Sequence, residues 1–396
     1  MLTAPEPTDT RQMADAVFTL STAMRAGQLI TAKMLERTME ASFDAPASSG
    51  IWDWRCAYDA MEAASTHAML LDALNPELVA LSAAASKRPT QTKRSEEQIR
   101  LQQFSTPLPF AFLATKAAAI TADDVVLEPS AGTGALAGFV KQAGASLVAN
   151  EIDPRRRALL EIVTGQRASG YDAAQIDDLL AASTVPSVVL MNPPFASSVD
   201  RADDPHMAAR HLLSAMKRLA PGGRLVAIMP PRFSPEREPD HWKALAALCT
   251  IHMSILMDGA VYRKQGTGVE TRLIVADKVE NGKGDRDCLF IANTGQPADL
   301  AALASILEGE IIPVRAPVDL PKSVVALRRS PPRKVAKPAP QRSAPAAIAK
   351  PSPVNAPLSW TAFDVPRPNE AISDVYASYR PQRVDIAGAM PHPTPL

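Results

Sequence analysis

The first part of the chain carries apolar residues at helical spacing. From about residue 11 to residue 88 the sequence is rich in Ala, Leu, Met and Glu, as in "MADAVFTLSTAMRAGQLITAKMLERTM" and "WDWRCAYDAMEAASTHAMLLDAL". Apolar positions three and four residues apart place one face of a helix against a core. The stretch "DAPASSG" interrupts this pattern with turn-forming residues. We therefore predict an N-terminal helical region over residues 1–95, with a break near residues 44–50.

A different pattern follows from about residue 98 to residue 278, where short β-branched runs alternate with Ala- and Leu-rich helical stretches. Apolar strands separated by helices are typical of a mainly parallel sheet that is covered on both faces. The last part, "IHMSILMDGAVYRKQGTGVETRLIVADK", indicates two strands around a long loop, and so an antiparallel end to the sheet. The predicted fold class is α/β, and this region is the candidate for catalysis.

The C-terminal part has the composition of an extended tether. Nearly half of the chain's 36 prolines lie beyond residue 312. Between residues 315 and 350 there are many Lys and Arg residues but only one acid, Asp319. Such a segment cannot bury enough apolar surface to offset its ordering entropy. We predict a Pro-rich basic linker over residues 313–358 and a disordered tail over residues 359–396. The basic residues either only keep the linker solvated or make nonspecific contacts with nucleic-acid phosphates.

Composition narrows the class of protein. The chain has 396 residues and a formal net charge of +0 at pH 7, which argues neither for nor against a nucleic-acid partner. Cys56, Cys249 and Cys288 lie far apart, which is the usage of a reducing compartment and predicts no zinc site. His206 and His211 lack ligand spacing, so no metal is predicted. Neither a signal peptide nor a run of ~18 apolar residues is present, which predicts a cytoplasmic protein without a membrane partner.

The first strand of the sheet leads into a glycine turn. The sequence "DDVVLEPSAGTGALAGFVKQAG" combines a buried strand, a turn of small residues and a helix start, with Gly132, Gly134 and Ala137 at GxGxxA spacing. Glycines allow a tight turn and a close ligand, and the free N–H groups of the helix start face that ligand. A nucleotide-type cofactor site is the favoured interpretation, although a dinucleotide-binding enzyme and some structural units share this turn.

Acidic residues follow the next two predicted strands. In "SLVANEIDP", Glu151 lies at a strand end about 20 residues after the glycine turn, where an acid can accept both ribose hydroxyls. Asp153 could take that role or begin the next helix. Asp172 in "GYDAAQIDDLL" could accept from an adenine amino group or cap the following helix. The run from Arg155 to Arg157 is most simply a solvated helix face.

The fourth predicted strand ends in "LMNPPFAS", an abrupt and stiff corner. An amino nitrogen attached to a ring or carbonyl is a poor nucleophile because its lone pair is delocalised. The side-chain oxygen of Asn192 and the carbonyl of Pro193 could accept its N–H bonds and direct its lone pair at a methyl donor. Pro194 would stiffen the corner, and Phe195, which looks exposed, would offer a surface for stacking a planar substrate. A purely structural Pro-Pro turn is the alternative.

The segment from Gln103 to Lys278 resembles the Rossmann-like, S-adenosylmethionine-dependent amino-methyltransferases of class I. The stretches "QQFSTPLPFAFLATKAA", "LEPSAGTGALA", "NEIDP" and "NPPF" stand in the order found in adenine-N6 methyltransferases. The resemblance implies S-adenosylmethionine as the cofactor, a domain over residues 96–312, and an exocyclic amino group as the target. It places the following residues at the cofactor: Phe104, Thr106 and Pro107 at its methionine end, Glu128, Ala131, Gly132 and Gly134 beneath it, Glu151 at the ribose, Asp172 at the adenine, and also Ile152 and Asn192. It assigns the target amine to the residues from Asn192 to Phe195.

A narrower similarity covers more of the chain. The helical start, "QQFSTPLPFAFLA" and the terminal "YRPQRVDIAGAMPHPTPL" resemble the front end of bacterial proteins that join a methyltransferase to a strawberry-notch-type helicase. This implies a helicase module, in cis or in trans, although no GxxxxGK[ST] phosphate loop occurs in the chain.

Three functions remain open from the sequence. They are methylation of adenine N6 in DNA, which we favour, methylation of RNA or of a protein amide, and a noncatalytic cofactor-binding module of a helicase system. The region after the last strand has only about 35 residues before the linker, which is little surface for reading bases in a groove.

Overall fold

The computed structural model describes residues 7–72, 76–93, 104–195, 204–280, 296–309, 312–318 and 320. The predicted tail and nearly all of the predicted linker lie outside these residues. Within the part that is described, none of the helices has the length and apolar character that crossing a membrane requires.

A six-stranded sheet forms the centre of the fold, as the alternating pattern predicts. Its spatial order is β2-β1-β3-β4-β6-β5; β1 to β4 are parallel, and β6 runs antiparallel between β4 and β5. The strands are β1 (Val125–Glu128), β2 (Ser146–Ala149), β3 (Val188–Met191), β4 (Arg224–Met229), β5 (Cys249–Met257) and β6 (Thr271–Lys278). The predicted third strand, before Asp172, is reduced to an isolated parallel bridge between Asn150 and Ser169.

Helices cover both faces of the sheet, which explains why β1, β3 and β4 are buried throughout. They are α5 (Leu108–Ala118), α6 (Ala135–Gln142), α7 (Pro154–Thr164), α8 (Ile176–Leu179), α9 (Met207–Arg218), α10 (Pro239–Ala246) and α11 (Leu300–Glu308). One apolar core lies between the sheet and α5, α6 and α11, and the other lies between the sheet and α9 and α10. Short 3₁₀ turns span Ala173–Gln175 and, between β5 and β6, Gly259–Gln265.

The N-terminal region is helical, as predicted, with α1 (Pro7–Arg25), α2 (Ala32–Phe43), α3 (Trp54–Leu71) and α4 (Leu78–Ser86). The break between α2 and α3 contains a 3₁₀ turn, Ala47–Ser49, and is held by a 2.8 Å hydrogen bond from Trp52 Nε1 to the Ala45 carbonyl. The buried cluster of these helices includes Leu159 and Val163 of α7. The helical region therefore packs directly on the unit that contains the sheet.

The described chain remains attached to the sheet beyond residue 312, where the predicted linker begins. The buried guanidinium of Arg224 donates to the Pro313 carbonyl at 2.8 Å. Arg315 forms an ion pair with Asp124, and both side chains are buried. Burial alone would raise the pKa of Asp124, but its hydrogen bonds with Arg315 and Ser187 hold it below the usual value.

Candidate functional site

A cavity of about 200 Å³ lies at the carboxyl ends of β1, β2 and β3. The chain runs from β1 to β2 on one side and crosses to β3 on the other, which makes this edge the switch point of the sheet, where ligands bind in α/β folds. The predicted site residues that line the cavity are Phe104, Thr106, Glu128, Ala131, Gly132, Glu151, Ile152, Asp172, Asn192, Pro193 and Pro194. The sequence did not indicate other lining residues, among them Ser105, Asn150, Arg156, Tyr171 and His211.

The turn after β1 brings backbone N–H groups to the cavity wall. Gly132 has φ +58°, a conformation that L side chains rarely adopt, and its N–H donates to Glu151 Oε2 at 2.7 Å. A Cβ atom at Gly132 would lie 2.7 Å from Nη2 of Arg156. Gly134, with φ +97°, begins α6 and lies against Leu160 rather than in the cavity wall. Gly132 thus shapes the cavity, whereas Gly134 serves the packing of α6 on α7.

Glu151 is the buried acid at the end of β2. Its Oε2 accepts from Gly132 N at 2.7 Å, and its Oε1 accepts from Asp153 N at 2.9 Å. A carboxylate has further lone pairs on both oxygens, so it can still accept from two ligand hydroxyls. Asp153, the alternative from the sequence, caps α7 through Oδ1 and pairs with Arg55 at 3.0 Å. Because Asp153 does not line the cavity, Glu151 is the better candidate for the ribose.

Glu128 is a second buried acid in the cavity wall. Burial and the nearby Glu151 carboxylate raise the pKa of Glu128 well above its usual range, and the backbone N–H of Ala137 lowers it only in part. Its Oε2 has no hydrogen-bond partner among the described residues. A buried acceptor of this kind is costly unless a ligand or solvent molecule satisfies it. Glu128 therefore suits a ligand that brings a hydrogen-bond donor or a positive charge.

Asp172 combines the two roles that the sequence left open. Its Oδ1 accepts from Ala174 N at 2.9 Å and so caps the 3₁₀ turn, while its half-exposed side chain lines the cavity. Nε2 of His211 lies 4.0 Å from that same oxygen. Burial lowers the pKa of His211 to about 4, against the raising effect of Asp172, so its imidazole is neutral near pH 7. Because the His211 imidazole is neutral and the Asp172 side chain is half-exposed, the Asp172 carboxylate can still accept from an amino group.

Asn150 organises the same edge, and nothing in the sequence pattern singled it out. Its Nδ2 donates to the carbonyls of Pro129 and Tyr171, each at 2.9 Å, and its Oδ1 accepts from Tyr171 N at 2.8 Å. It therefore joins the turn after β1 to the loop before Asp172. Tyr171 and Ile152, 40% and 60% exposed, line the cavity with apolar surface that a planar ring could contact.

Asn192 connects the corner after β3 to the segment before α5. Its Nδ2 lies 3.2 Å from the Phe104 carbonyl and 2.9 Å from Thr106 Oγ1. Because a carbonyl can only accept, the amide nitrogen must face Phe104, and Oδ1 is the amide's acceptor end. The Tyr262 hydroxyl neighbours this amide, and burial raises its pKa, so it keeps its proton. Pro193 and Pro194 line the cavity beside Asn192.

Phe195 corrects the sequence prediction. It is 5% exposed and belongs to the core beneath α5 and α6, instead of offering an open face at the cavity. The apolar ring follows the hydrophobic driving force into that core. Pro107 also does not line the cavity, because its carbonyl begins α5 by accepting from Phe110 N and Ala111 N, each at 2.9 Å.

The prediction of a solvated arginine face on α7 is wrong for Arg156. Its Nη2 donates to Ser105 Oγ at 2.8 Å, and its Nε lies 3.6 Å from Asp59 Oδ1 of α3. Arg157 donates to the Glu151 carbonyl at 2.8 Å. The N-terminal helices bring acids against α7, and their negative charge offsets the cost of removing most of the Arg156 side chain from water. The N-terminal region therefore helps to hold a residue of the cavity wall in place.

A scan against protein-family models finds no match for this chain, and a search among curated proteins finds none either. Solved structures with a similar fold include a protein from Listeria monocytogenes described as a class I S-adenosylmethionine-dependent methyltransferase. It is 12% identical, the match covers 77% of this chain and 98% of that one, and the TM-score is 0.44.

Two further structures show comparable similarity. A modification subunit of a type I restriction enzyme from Vibrio vulnificus YJ016 is 14% identical over 78% of this chain and 92% of its own, with a TM-score of 0.41. An RNA methyltransferase from Pyrococcus horikoshii is 19% identical over 51% of this chain and 98% of its own, with a TM-score of 0.38. At such identities the likeness concerns the fold, and the argument on activity is made from the residues of the cavity.

Proposed function

We propose that this chain is an S-adenosylmethionine-dependent methyltransferase that acts on an exocyclic amino group, with adenine N6 in DNA as its target. The observation that carries the proposal is the placement of Asn192. Its amide is oriented by Phe104 and Thr106 and lines the same cavity as the glycine turn and Glu151. The residues that would hold the cofactor and the group that would accept from the amine are thus adjacent in one cavity, as methyl transfer requires.

The cavity residues fit the cofactor. Glu128 offers a buried oxygen without a partner, which suits the positive charge that the ammonium and sulfonium groups carry. Glu151 would accept from the ribose hydroxyls and Asp172 from the adenine amino group, while Ile152 would contact the adenine ring. Phe104 and Thr106, with Ala131 and Gly132, would enclose the methionine end. When bound, S-adenosylmethionine supplies an electrophilic methyl group on a positively charged sulfur.

The residues after β3 would make the amino nitrogen of the substrate a better nucleophile. The lone pair of an aromatic amino nitrogen is delocalised into the ring, so the nitrogen attacks poorly while it stays planar. Asn192 Oδ1 and the Pro193 carbonyl would accept its two N–H bonds and favour a tetrahedral nitrogen whose lone pair faces the methyl group. Both acceptors would also stabilise the positive charge that develops on the nitrogen as it takes the methyl group from sulfur, before its proton is released to solvent. The stiff backbone of Pro193 and Pro194 keeps the carbonyl direction fixed.

Adenine N6 in DNA is the substrate that the Asn-Pro-Pro-Phe sequence and its order with the other motifs favour. Because Phe195 is buried, we do not assign stacking of the target base to it. A helicase module as a partner, in cis or in trans, remains a prediction from the terminal sequence similarity.

The experiment is methyl transfer from labelled S-adenosylmethionine to separate pools of DNA, RNA and protein, followed by digestion to nucleosides or amino acids. We expect label in N6-methyladenine from DNA. Label only in RNA, or only in glutamine amides of protein, would show that RNA or protein, and not DNA, is the substrate. Tight cofactor binding without transfer to any pool would indicate a noncatalytic module. Failure to bind S-adenosylmethionine or S-adenosylhomocysteine at millimolar concentration would contradict the enzyme altogether.

A further inference from the structure

Two histidines and one glutamate meet outside the cavity. His206 directly precedes α9, Glu238 directly precedes α10, and His241 lies in the first turn of α10. Nδ1 of His206 and Nδ1 of His241 each lie 3.5 Å from the same atom, Oε2 of Glu238. One ligand atom from each of the three residues falls within 4.8 Å of the others. The sequence predicted no metal, because its histidines are scattered and His206 lacks ligand spacing with His211.

The separations suit an ion between these atoms better than direct hydrogen bonds. Hydrogen bonds between nitrogen and oxygen are usually about 2.7–3.2 Å long, so 3.5 Å is long for both contacts. Ligand atoms about 2.0–2.2 Å from a tetrahedral Zn²⁺ ion are about 3.3–3.6 Å apart. The two imidazole rings are neighbours, tilted by 32° with their centroids 4.7 Å apart, and both Nδ1 atoms lie near the same oxygen.

Glu238 is held in the way that a metal-binding carboxylate requires. Its side chain is 3% exposed, and Nε of Arg232 forms an ion pair with the other oxygen, Oε1, at 2.9 Å. Ligating carboxylates commonly have their second oxygen fixed by a neighbouring group, which orients the first. Arg232 thereby leaves Oε2 to the two histidines. His206 and His241, which are partly exposed, provide access from solvent.

We propose that His206, Glu238 and His241 form a binding site for one Zn²⁺ ion, with water as the fourth ligand. Two imidazoles and one carboxylate are a common zinc donor set. The ion would fasten the start of α9 to the start of α10. Met207, next to His206, lines the cavity described above, so the ion would also fix one side of that cavity. This inference does not depend on methyltransferase activity.

The test uses all 396 residues of the chain, stripped of metal with a chelator and then titrated with Zn²⁺ in competition with a coloured chelator. We expect one equivalent to bind saturably in the wild type. Glu238→Gln, His206→Asn and His241→Asn should each weaken binding at least about tenfold. Co²⁺ in place of zinc should give the visible absorption of a four-coordinate ion, and Glu238→Gln should abolish that spectrum.

His252→Asn is the matched control, because His252 pairs with Asp277 at 3.0 Å without a second imidazole in that contact. Its zinc affinity should equal that of the wild type. Melting temperatures of all variants without metal, and the rise on adding Zn²⁺, separate loss of the site from loss of the fold. The proposal is overturned if the wild type binds no equivalent of Zn²⁺, or if the three site variants bind it as tightly as His252→Asn does.

Discussion

The backbone N–H of Gly132 donates to Oε2 of Glu151 at 2.7 Å, which joins the turn after β1 to the end of β2. One carboxylate therefore both shapes the glycine turn and faces the cavity. Because Glu151 is buried, its charge acts at close range on any hydroxyl that enters. In the cofactor site that we propose, this side chain would therefore hold the turn and accept from the ligand.

Replacing Glu151 tests that dependence. Glu151→Ala removes the acceptor for the ribose and for Gly132 N, and should weaken S-adenosylmethionine binding by about 1–3 kcal/mol. Glu151→Gln keeps one neutral acceptor and should lose less. Calorimetric titration measures both, and Glu77→Ala, at an exposed position before α4, is the control. Wild-type affinity in Glu151→Ala would remove Glu151 from the cofactor site.

Replacing two glycines by alanine distinguishes the free-energy cost of an unfavourable backbone conformation from the cost of a close contact. Gly132 and Gly165 have φ of +58° and +62°, but only at Gly132 would a Cβ meet another atom, Nη2 of Arg156 at 2.7 Å. Gly165→Ala should lower the free energy of unfolding by about 1–2 kcal/mol and leave cofactor affinity unchanged. Gly132→Ala should lose at least as much stability and also lose cofactor affinity, because Arg156 must move. Equal cofactor affinity in the two variants, measured beside urea unfolding, would argue against this role of Gly132.

Glu128 should make cofactor binding dependent on pH. Its pKa is raised by burial and by Glu151 in the free protein, so it holds a proton to unusually high pH. A positively charged ligand favours the carboxylate form of Glu128, so binding should release a proton. The affinity for the cofactor should therefore increase as pH rises towards the pKa that Glu128 has in the free protein. Titration calorimetry in two buffers of different ionisation enthalpy measures that proton. Glu128→Gln should abolish the release, and an unchanged release in this variant would assign the proton elsewhere.

Phe195 should behave as a core residue. It is 5% exposed, so Phe195→Ala should lower the free energy of unfolding by about 3–5 kcal/mol. Tyr171→Ala, at a 40% exposed ring in the cavity wall, should change stability far less and serves as the control. Urea unfolding of both variants decides between the buried ring and the sequence prediction. A Phe195→Ala protein with normal stability but weak substrate binding would restore the stacking role.

The parts of the site that the sequence predicted are encoded within short stretches. A strand, a glycine turn and a helix start specify the cradle around Gly132, and an acid at the next strand end specifies Glu151, because both signals depend on local backbone geometry. The sheet follows from the same alternation of short strands and helices. Asn192 was found because its neighbours are two prolines, whose effect on the backbone does not depend on the rest of the fold.

The parts that the sequence missed depend on contacts between distant segments. The side chain of Arg156 is only 12% exposed and meets Asp59 of α3, and no sequence pattern around residue 156 indicates that partner. Phe195 looked exposed because the core that buries its ring is built from distant segments of the chain. The meeting of His206 with Glu238 requires two loops at the same edge of the sheet. Such pairings follow from tertiary packing, which overrides local patterns.

The proposed role of Asn192 at the target amine is examined by measuring transfer of labelled methyl groups to adenine-containing DNA by Asn192→Ala. Its amide also contacts the segment from Phe104 to Thr106, so cofactor binding and melting temperature are measured on the same preparation. Gln166→Ala, which removes another side-chain amide that donates to a backbone carbonyl, that of Leu147 at 2.6 Å, but does not line the cavity, is the matched control and should retain most of the activity. We predict that Asn192→Ala loses turnover by at least about a hundredfold while cofactor affinity and melting temperature stay near wild type. Methylation of adenine at the wild-type rate by Asn192→Ala, or loss of activity only through unfolding or lost cofactor binding, would contradict the account.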